Sequence, residues 1–280
     1  MKNLLSRTLT GIIYVAVIAA GLCTGQTPFM ALGILLAGLG VEEFLRITGN
    51  KSYGLLLTDL AGTMIIVTGC DTVAATWANG WAFPAFTVWG TLFTAWLILR
   101  IVVQLYSHNP APLRRLACSL MAQMYVALPV ALMCCVYNST QGHALMLGVF
   151  VLIWVNDTGA YLVGSRIGRH RLFERLSPKK SWEGFFGGMA LSIIASLVMY
   201  HYFPAQYAVR PLAFMAGLGV LIPIFATWGD LAESMIKRTL NVKDSGHILP
   251  GHGGILDRID SLLVAVPATV VYLALWRLFL

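Results

Sequence analysis

The chain reads as an all-α, polytopic transmembrane protein of about nine spans, N-terminus inside and C-terminus outside. Three observations predict this. Of its 280 residues 58% are hydrophobic and 11% charged, with a mean hydropathy of +0.76; soluble chains carry about 25% charged residues. Continuous apolar runs recur along the whole length, each near the ~20 residues that a helix needs to cross a bilayer. All but Arg210 and Arg277 of the 19 Lys and Arg fall in one alternate set of connections between these runs, the asymmetry that fixes orientation in a membrane. A closed β-barrel would show alternating rather than continuous apolar residues.

The first run, about 9–25, follows Lys2 and Arg7 and imitates a secretory signal. Further spans follow it directly, so it reads as a retained helix. The next runs cover about 28–47, with Glu42 and Glu43 near its inner end, then 53–70, carrying Asp59, then 82–106 and 116–137. Asp71 reads as a loop residue, and residues 1–150 as mainly scaffold spans without a nucleotide motif. Runs at about 143–165, 183–203, 211–232 and 260–280 complete the set. Residues 151–280 form the chemically rich half of a single integral membrane domain, 1–280. Cys23, Cys70, Cys118, Cys134 and Cys135 lie in or at the ends of apolar runs without metal spacing, and read as small hydrophobes. The net charge of +7 sits on one membrane face, which predicts anionic lipid headgroups, not nucleic acid, as its partner.

Three polar segments interrupt the second half, all on the inner face of this topology. The first runs from Asn156 and Asp157 to Tyr161, and on to Gly164 and Gly168 at near-helical spacing. An acid inside a span marks a functional site, or else caps or pairs on a helix-packing face of small residues. The second is a basic loop, Arg166 to Lys180, ending Ser177-Pro178-Lys179-Lys180 before Ser181 and Glu183. Ser181 is placed to start the next helix. The two lysines beside that helix start suit an anion; simple retention of the loop inside accounts for them equally.

The third segment carries the densest chemistry. Asp230, Glu233, Ser234 and Lys237 share one helical face. The loop 234–260 then gathers Lys237, Arg238, Lys243, Asp244, His252, Asp257, Arg258 and Asp260 around Gly246, Gly251, Gly253 and Gly254. Basic side chains with close backbone approach suit phosphates, and spaced carboxylates suit a hard divalent cation. Asp257 and Asp260 also fit the simpler role of acids at a helix start.

The run Ser234, Lys237-Arg238, Lys243-Asp244, Gly246, Pro250, His252-Gly253-Gly254, Asp257-Arg258 and Asp260 resembles the long C-terminal signature of the CDP-diacylglycerol synthase (phosphatidate cytidylyltransferase) family. The Asp230–Ser234 lead-in, the Ser177–Lys180 loop and the Asp157–Tyr161 segment are similar to family features. The likeness covers roughly the C-terminal half; a pattern this long is far more specific than a short glycine motif. It implies transfer of a cytidylyl group from CTP to phosphatidate, with Mg²⁺ and a possible second cation, and a homodimer. On that resemblance Asp230 and Asp257, with Asp260 and Glu233, are expected at the metal. Lys179, Lys180, Lys237, Arg238, Lys243, His252 and Arg258 are expected to neutralise phosphates and the leaving pyrophosphate. Ser177, Ser234, Asp244, Gly253, Gly254, Asp157 and Tyr161 are expected to shape the substrate site. Two readings compete. A transporter would use Asp59 and Asp157, but its charges should lie near the midplane. Another CTP-dependent or CDP-linked lipid enzyme is the second; the Asp-Gly-x-x-Ala-Arg pattern of alcohol phosphotransferases does not occur here.

Overall fold

The computed structural model describes residues 2–49, 52–77, 82–108, 110–139, 141–246, 248 and 253–279, with 2–10, 77, 82–83 and 279 described by their backbone. Among the described residues eight helices are long and apolar enough to cross a membrane, and Gly11–Thr24 is a shorter apolar helix. The chain packs as two compact units, residues 1–140 with 242–258 and residues 141–241 with 259–280.

In the first unit, α1 (Lys2–Thr24) and α2 (Gln26–Ile47) are parted by Gly25 alone. Its φ of 110° belongs to the region that glycine enters without a steric penalty. α3 (Tyr53–Trp77) lies against α4 (Ala82–Tyr106). A Cβ on Gly62 would strike the Trp96 indole, whose N–H donates to the Thr58 carbonyl at 2.6 Å. α5 (Pro112–Ala122) continues through a π-helical turn (Gln123–Ala127) into α6 (Leu128–Tyr137). The widened turn directly precedes Pro129, which has no N–H to give the helix. Phe29, Leu36 and Phe44 of α2 are buried, as are Val130 and Met133 of α6, and Phe29 stacks on Tyr137 with centroids 4.1 Å apart.

Arg100, counted from the sequence among the inner-loop cations, lies inside α4 and is fully buried. Its Nε donates to Asp59 Oδ1 at 2.9 Å and to Ser119 Oγ at 3.1 Å, and its Nη1 to Gln104 Oε1 at 3.1 Å. Gln123 Nε2 donates to the Asp59 carbonyl at 2.9 Å. Asp59 therefore joins α3 to α4, α5 and the π turn, which removes it as support for a transport site. Asp71 is not a loop residue either. α3 continues past the end of the apolar run, where Thr72 and Thr76 keep their hydroxyls satisfied within the helix on the carbonyls of Thr68 and Thr72 at 2.7 and 2.9 Å. Within that added turn, Asp71 accepts a hydrogen bond from Asn138.

The second unit holds α7 (Gly142–Ile167), β1 (Arg171–Phe173), β2 (Ser177–Ser181), α8 (Trp182–Tyr202), α9 (Pro204–Tyr207), α10 (Leu212–Thr239) and most of α11 (Leu256–Phe279). The antiparallel hairpin β1–β2 occupies most of what reads as a basic loop and is the one departure from an all-α chain among the described residues. α7 and α8 approach glycine to glycine: a Cβ on Gly159 would lie 3.0 Å from Gly188 Cα, and one on Gly164 3.4 Å from Gly184 Cα. Such small-residue faces let helices meet at backbone distance. α10 runs through Thr239, beyond the expected end near 232. Glu233 and Lys237 pair one turn apart at 2.5 Å, Ile236 is buried, and Lys237 and Arg238 in the last turn complement the helix dipole. α11 begins at Leu256, so both ends of the expected 234–260 loop are helical.

Candidate active site

In the second unit, close packing of α7 and α8 leaves a cavity of about 580 Å³ beside the hairpin, walled by Asn156, Asp157, Tyr161, Arg171, Lys179, Lys180, Thr227 and Asp230 among others. The hairpin is pinned where it enters α8. Ser181 caps the helix, its Oγ accepting from the Gly184 N–H at 3.2 Å, as expected for a serine in that position. The Glu183 carboxylate accepts from the Arg169 N–H at 3.1 Å and contacts His170 Nδ1 at 2.6 Å. Trp182 N–H donates to the His170 carbonyl at 2.9 Å. These bonds fix the strand that carries Lys179 and Lys180.

Lys180 Nζ lies 2.5 Å from Asp230 Oδ2, and Ser234 Oγ is 3.4 Å from Asp230 Oδ1. Asp157 accepts from Asn156 Nδ2 at 3.3 Å. Asp260 accepts the Ser261 N–H at 2.7 Å and stands within electrostatic reach of Asp230, Asp157 and Lys180. α10 and α11 come together through Gly229, where a Cβ would meet the Ser261 Cα at 3.1 Å. Three carboxylates and a lysine from four elements thus converge.

The first unit holds the other signature residues. Asp257 Oδ2 accepts from Ser245 N–H at 3.0 Å, Ser245 O–H at 2.9 Å and Gly254 N–H at 2.8 Å. Gly253 has a φ of 83°, where only glycine rests without strain, and a Cβ there would meet the Asp257 carboxylate at 2.5 Å. Lys243, Asp244 and Arg258 are exposed on this segment. The Tyr14 hydroxyl donates to the Arg258 carbonyl at 3.1 Å.

The structure therefore brings together Asp157, Tyr161, Lys179, Lys180, Asp230 and Asp260, with Ser234 behind Asp230. Glu233 and Lys237 pair with each other on α10, Glu233 being buried. Arg238 is exposed at the end of that helix, and Ser177 stands half-buried at the start of β2. Gly253 and Gly254 serve the turn that Asp257 braces, and the Gly254 N–H is already committed to that carboxylate. His252, with Pro250 and Gly251, lies outside the described residues. Arg171, Thr227 and Asn156 border the cavity without being among the expected site residues, and Asn156 Oδ1 is buried with no hydrogen-bond partner. In the sequence Arg171 is only one charge in a basic stretch; the hairpin, which pairs it with Ser181, brings it to the cavity that Lys180 also lines.

Residues 5–276 match the model of the cytidylyltransferase family. The chain is 33% identical over 262 residues to a Staphylococcus saprophyticus protein named phosphatidate cytidylyltransferase, covering 93% of this chain and 95% of that one. Proteins of the same name from Staphylococcus epidermidis and Staphylococcus aureus are 34% and 32% identical, with the same coverage of both chains. Likeness at this level extends through the N-terminal helices, which resemble the family in hydrophobic character alone when the sequence is read by itself. With its family pattern running almost from end to end, the chain belongs to the cytidylyltransferase family.

Proposed function

We propose that this chain transfers the cytidylyl group of CTP to phosphatidate, giving CDP-diacylglycerol and pyrophosphate. The observation that carries the reading is the cavity in which Lys180 and Asp230 pair beside Asp157, Arg171 and Lys179: cations for phosphate and carboxylates for a divalent ion share one wall. The attacking phosphate oxygen of phosphatidate is already anionic, so no general base is needed. It forms a bond to the α-phosphorus of CTP, the bond from that phosphorus to the β-phosphate oxygen breaks, and pyrophosphate leaves with the electron pair. The barrier is largely the meeting of two polyanions, which fixed positive charge lowers.

Arg171 and Lys179 receive the phosphatidate headgroup, while its acyl chains stay in the leaflet. Lys180 exchanges its contact with Asp230 for a phosphate oxygen when substrate enters. Lys237 and Arg238 add positive charge in the second unit; Lys243 and Arg258 provide it in the first, and to these two we assign the CTP triphosphate, His252 lying outside the described residues. Among the described residues no three Asp, Glu, His or Cys side chains form a ready metal cage. Mg²⁺ takes about one or two carboxylates and fills its shell with water and phosphate oxygens, a donor set that Asp157 and Asp230 on the cavity wall can supply. Asp230 with Asp157 or Asp260 would hold the ion, and its chemistry there is to neutralise the triphosphate and the departing pyrophosphate.

We place the site on the cytoplasmic side of a bacterial plasma membrane and infer nine spans, with α1 as the first, and a homodimeric enzyme. The test is pyrophosphate release by purified protein in detergent–phosphatidate micelles with CTP, with and without Mg²⁺. Release requiring all three, with a CDP-lipid product, is expected. A folded sample that binds CTP without turnover would move the reading to another acceptor, and one that binds no CTP would overturn it.

A further inference from the structure

Glu43 sits on α2, 202 residues before Ser245 in the chain, and is fully buried. A buried carboxylate is costly unless hydrogen bonds replace its water, so the use made of it is informative. Glu43 Oε2 accepts the Leu256 N–H at 2.9 Å and lies 3.1 Å from Ser245 Oγ. Leu256 opens α11, so a side chain from one helix caps the free N–H of another, where the dipole also favours negative charge. Two glycines are fitted around the same group. A Cβ on Gly246 or on Gly254 would overlap the Glu43 carboxylate, and Oε1 is buried with no hydrogen-bond partner. Ser245 is gripped from its other side by Asp257. A hydroxyl has one proton to give, so Ser245 satisfies one carboxylate at a time, while the Leu256 and Gly254 N–H groups hold Glu43 and Asp257 in place.

The structure assigns Glu43 as the positioning residue that seats Ser245 and the start of α11, and through them the adjoining Lys243 and Arg258 assigned to CTP. Gly246 and Gly254 are then explained by a carboxylate that they must accommodate. The assignment of CTP to this loop rests on the function proposed above; the seat itself does not.

Full-length protein in detergent tests both parts. The first measurement is the rate of trypsin cleavage after exposed Lys243 without ligand, which reports local opening of the loop. Glu43→Ala is expected to be cut about tenfold faster than wild type. Glu43→Gln retains an oxygen for Leu256 N–H and is expected to match wild type, as is Glu42→Gln, whose side chain points to Arg46 at 3.8 Å. The second measurement is initial-rate kinetics. A displacement of ~1 Å can cost about 100-fold, so Glu43→Ala should raise the KM for CTP at least about tenfold and leave that for phosphatidate within about twofold. Unchanged cleavage in Glu43→Ala overturns the seat. A loss of maximal rate alone, in proportion to folded protein, overturns the positioning role, and a Glu43→Gln variant as impaired as Glu43→Ala overturns the hydrogen-bond account. Should wild type make no CDP-lipid, proteolysis still decides the seat, and only the proposed function falls.

Discussion

Gly188 offers a direct test of how helix packing sets the site. It is buried on α8, and a Cβ built there would lie 2.6 Å from both the backbone and the side-chain oxygen of Asn156 and 3.2 Å from Ala160 Cβ. The Asn156 side chain can rotate away, but its carbonyl belongs to α7 and cannot. Gly188→Ala therefore forces α7 and α8 apart by about 0.8 Å to reach an ordinary contact, an overpacking that typically costs about 1–3 kcal/mol. The two walls that separate carry different halves of the chemistry: Asp157 rides on α7, whereas Lys179 and Lys180 are pinned to the start of α8 through Ser181 and Glu183. A shift of that size should lower kcat/KM by roughly 30- to 100-fold. Pyrophosphate release per folded enzyme, with thermal unfolding in detergent, measures both effects. Gly90→Ala is the control, since nothing lies within 4 Å of its Cβ, and an alanine in an open helical position stabilises by about 0.5–1 kcal/mol. A Gly188→Ala enzyme with wild-type kcat/KM would refute the claim that backbone contact between these helices sets the site.

Further expectations concern single groups. Asp230→Asn removes the carboxylate beside Lys180 and should lower kcat about 100- to 1,000-fold and raise the Mg²⁺ concentration for half-maximal rate; an unaltered Mg²⁺ titration would remove Asp230 from the metal. Arg100→Met strands the buried Asp59 carboxylate and should cost about 3 kcal/mol, mostly recovered in Arg100→Met with Asp59→Asn. A double variant as unstable as the single one, by thermal unfolding, would sink the pairing argument. Gly253→Ala imposes a left-handed alanine worth about 1–3 kcal/mol of strain and a clash with Asp257, so the KM for CTP should rise. An unchanged KM would show that this turn does not govern the nucleotide.

What was legible in the sequence depended on distance along the chain. Continuous apolar runs expose helices because the bilayer demands internal hydrogen bonding over a fixed length. Their ends were harder to read where polar side chains stay helical: Thr72 and Thr76 bond back to their own helix, and Glu233 pairs with Lys237 one turn on. Ser181 and Glu183 marked the start of α8 correctly, because capping is a short-range pattern. The hairpin escaped notice, since Arg171–Phe173 and Ser177–Ser181 are short and basic rather than alternating. Glu43, and the pairing of Asp59 with Arg100, could not be read at all. Each partner lies tens to hundreds of residues away, and a buried acid announces only that something must neutralise it.

Asp257 and Asp260 show why a long motif need not have one job. They stand three residues apart and look interchangeable in the sequence, yet they belong to different units. Asp257 Oδ2 receives the Ser245 and Gly254 N–H groups and shares the Ser245 hydroxyl with Glu43, so its charge is largely met by the loop that it braces. Asp260 is grouped with Asp157 and Asp230 around Lys180. Desolvated carboxylates in one place are costly unless cations meet them, and Lys180 against Asp230 meets only part of that need. We therefore propose the metal role for the second group, and loop building for Asp257 with Glu43.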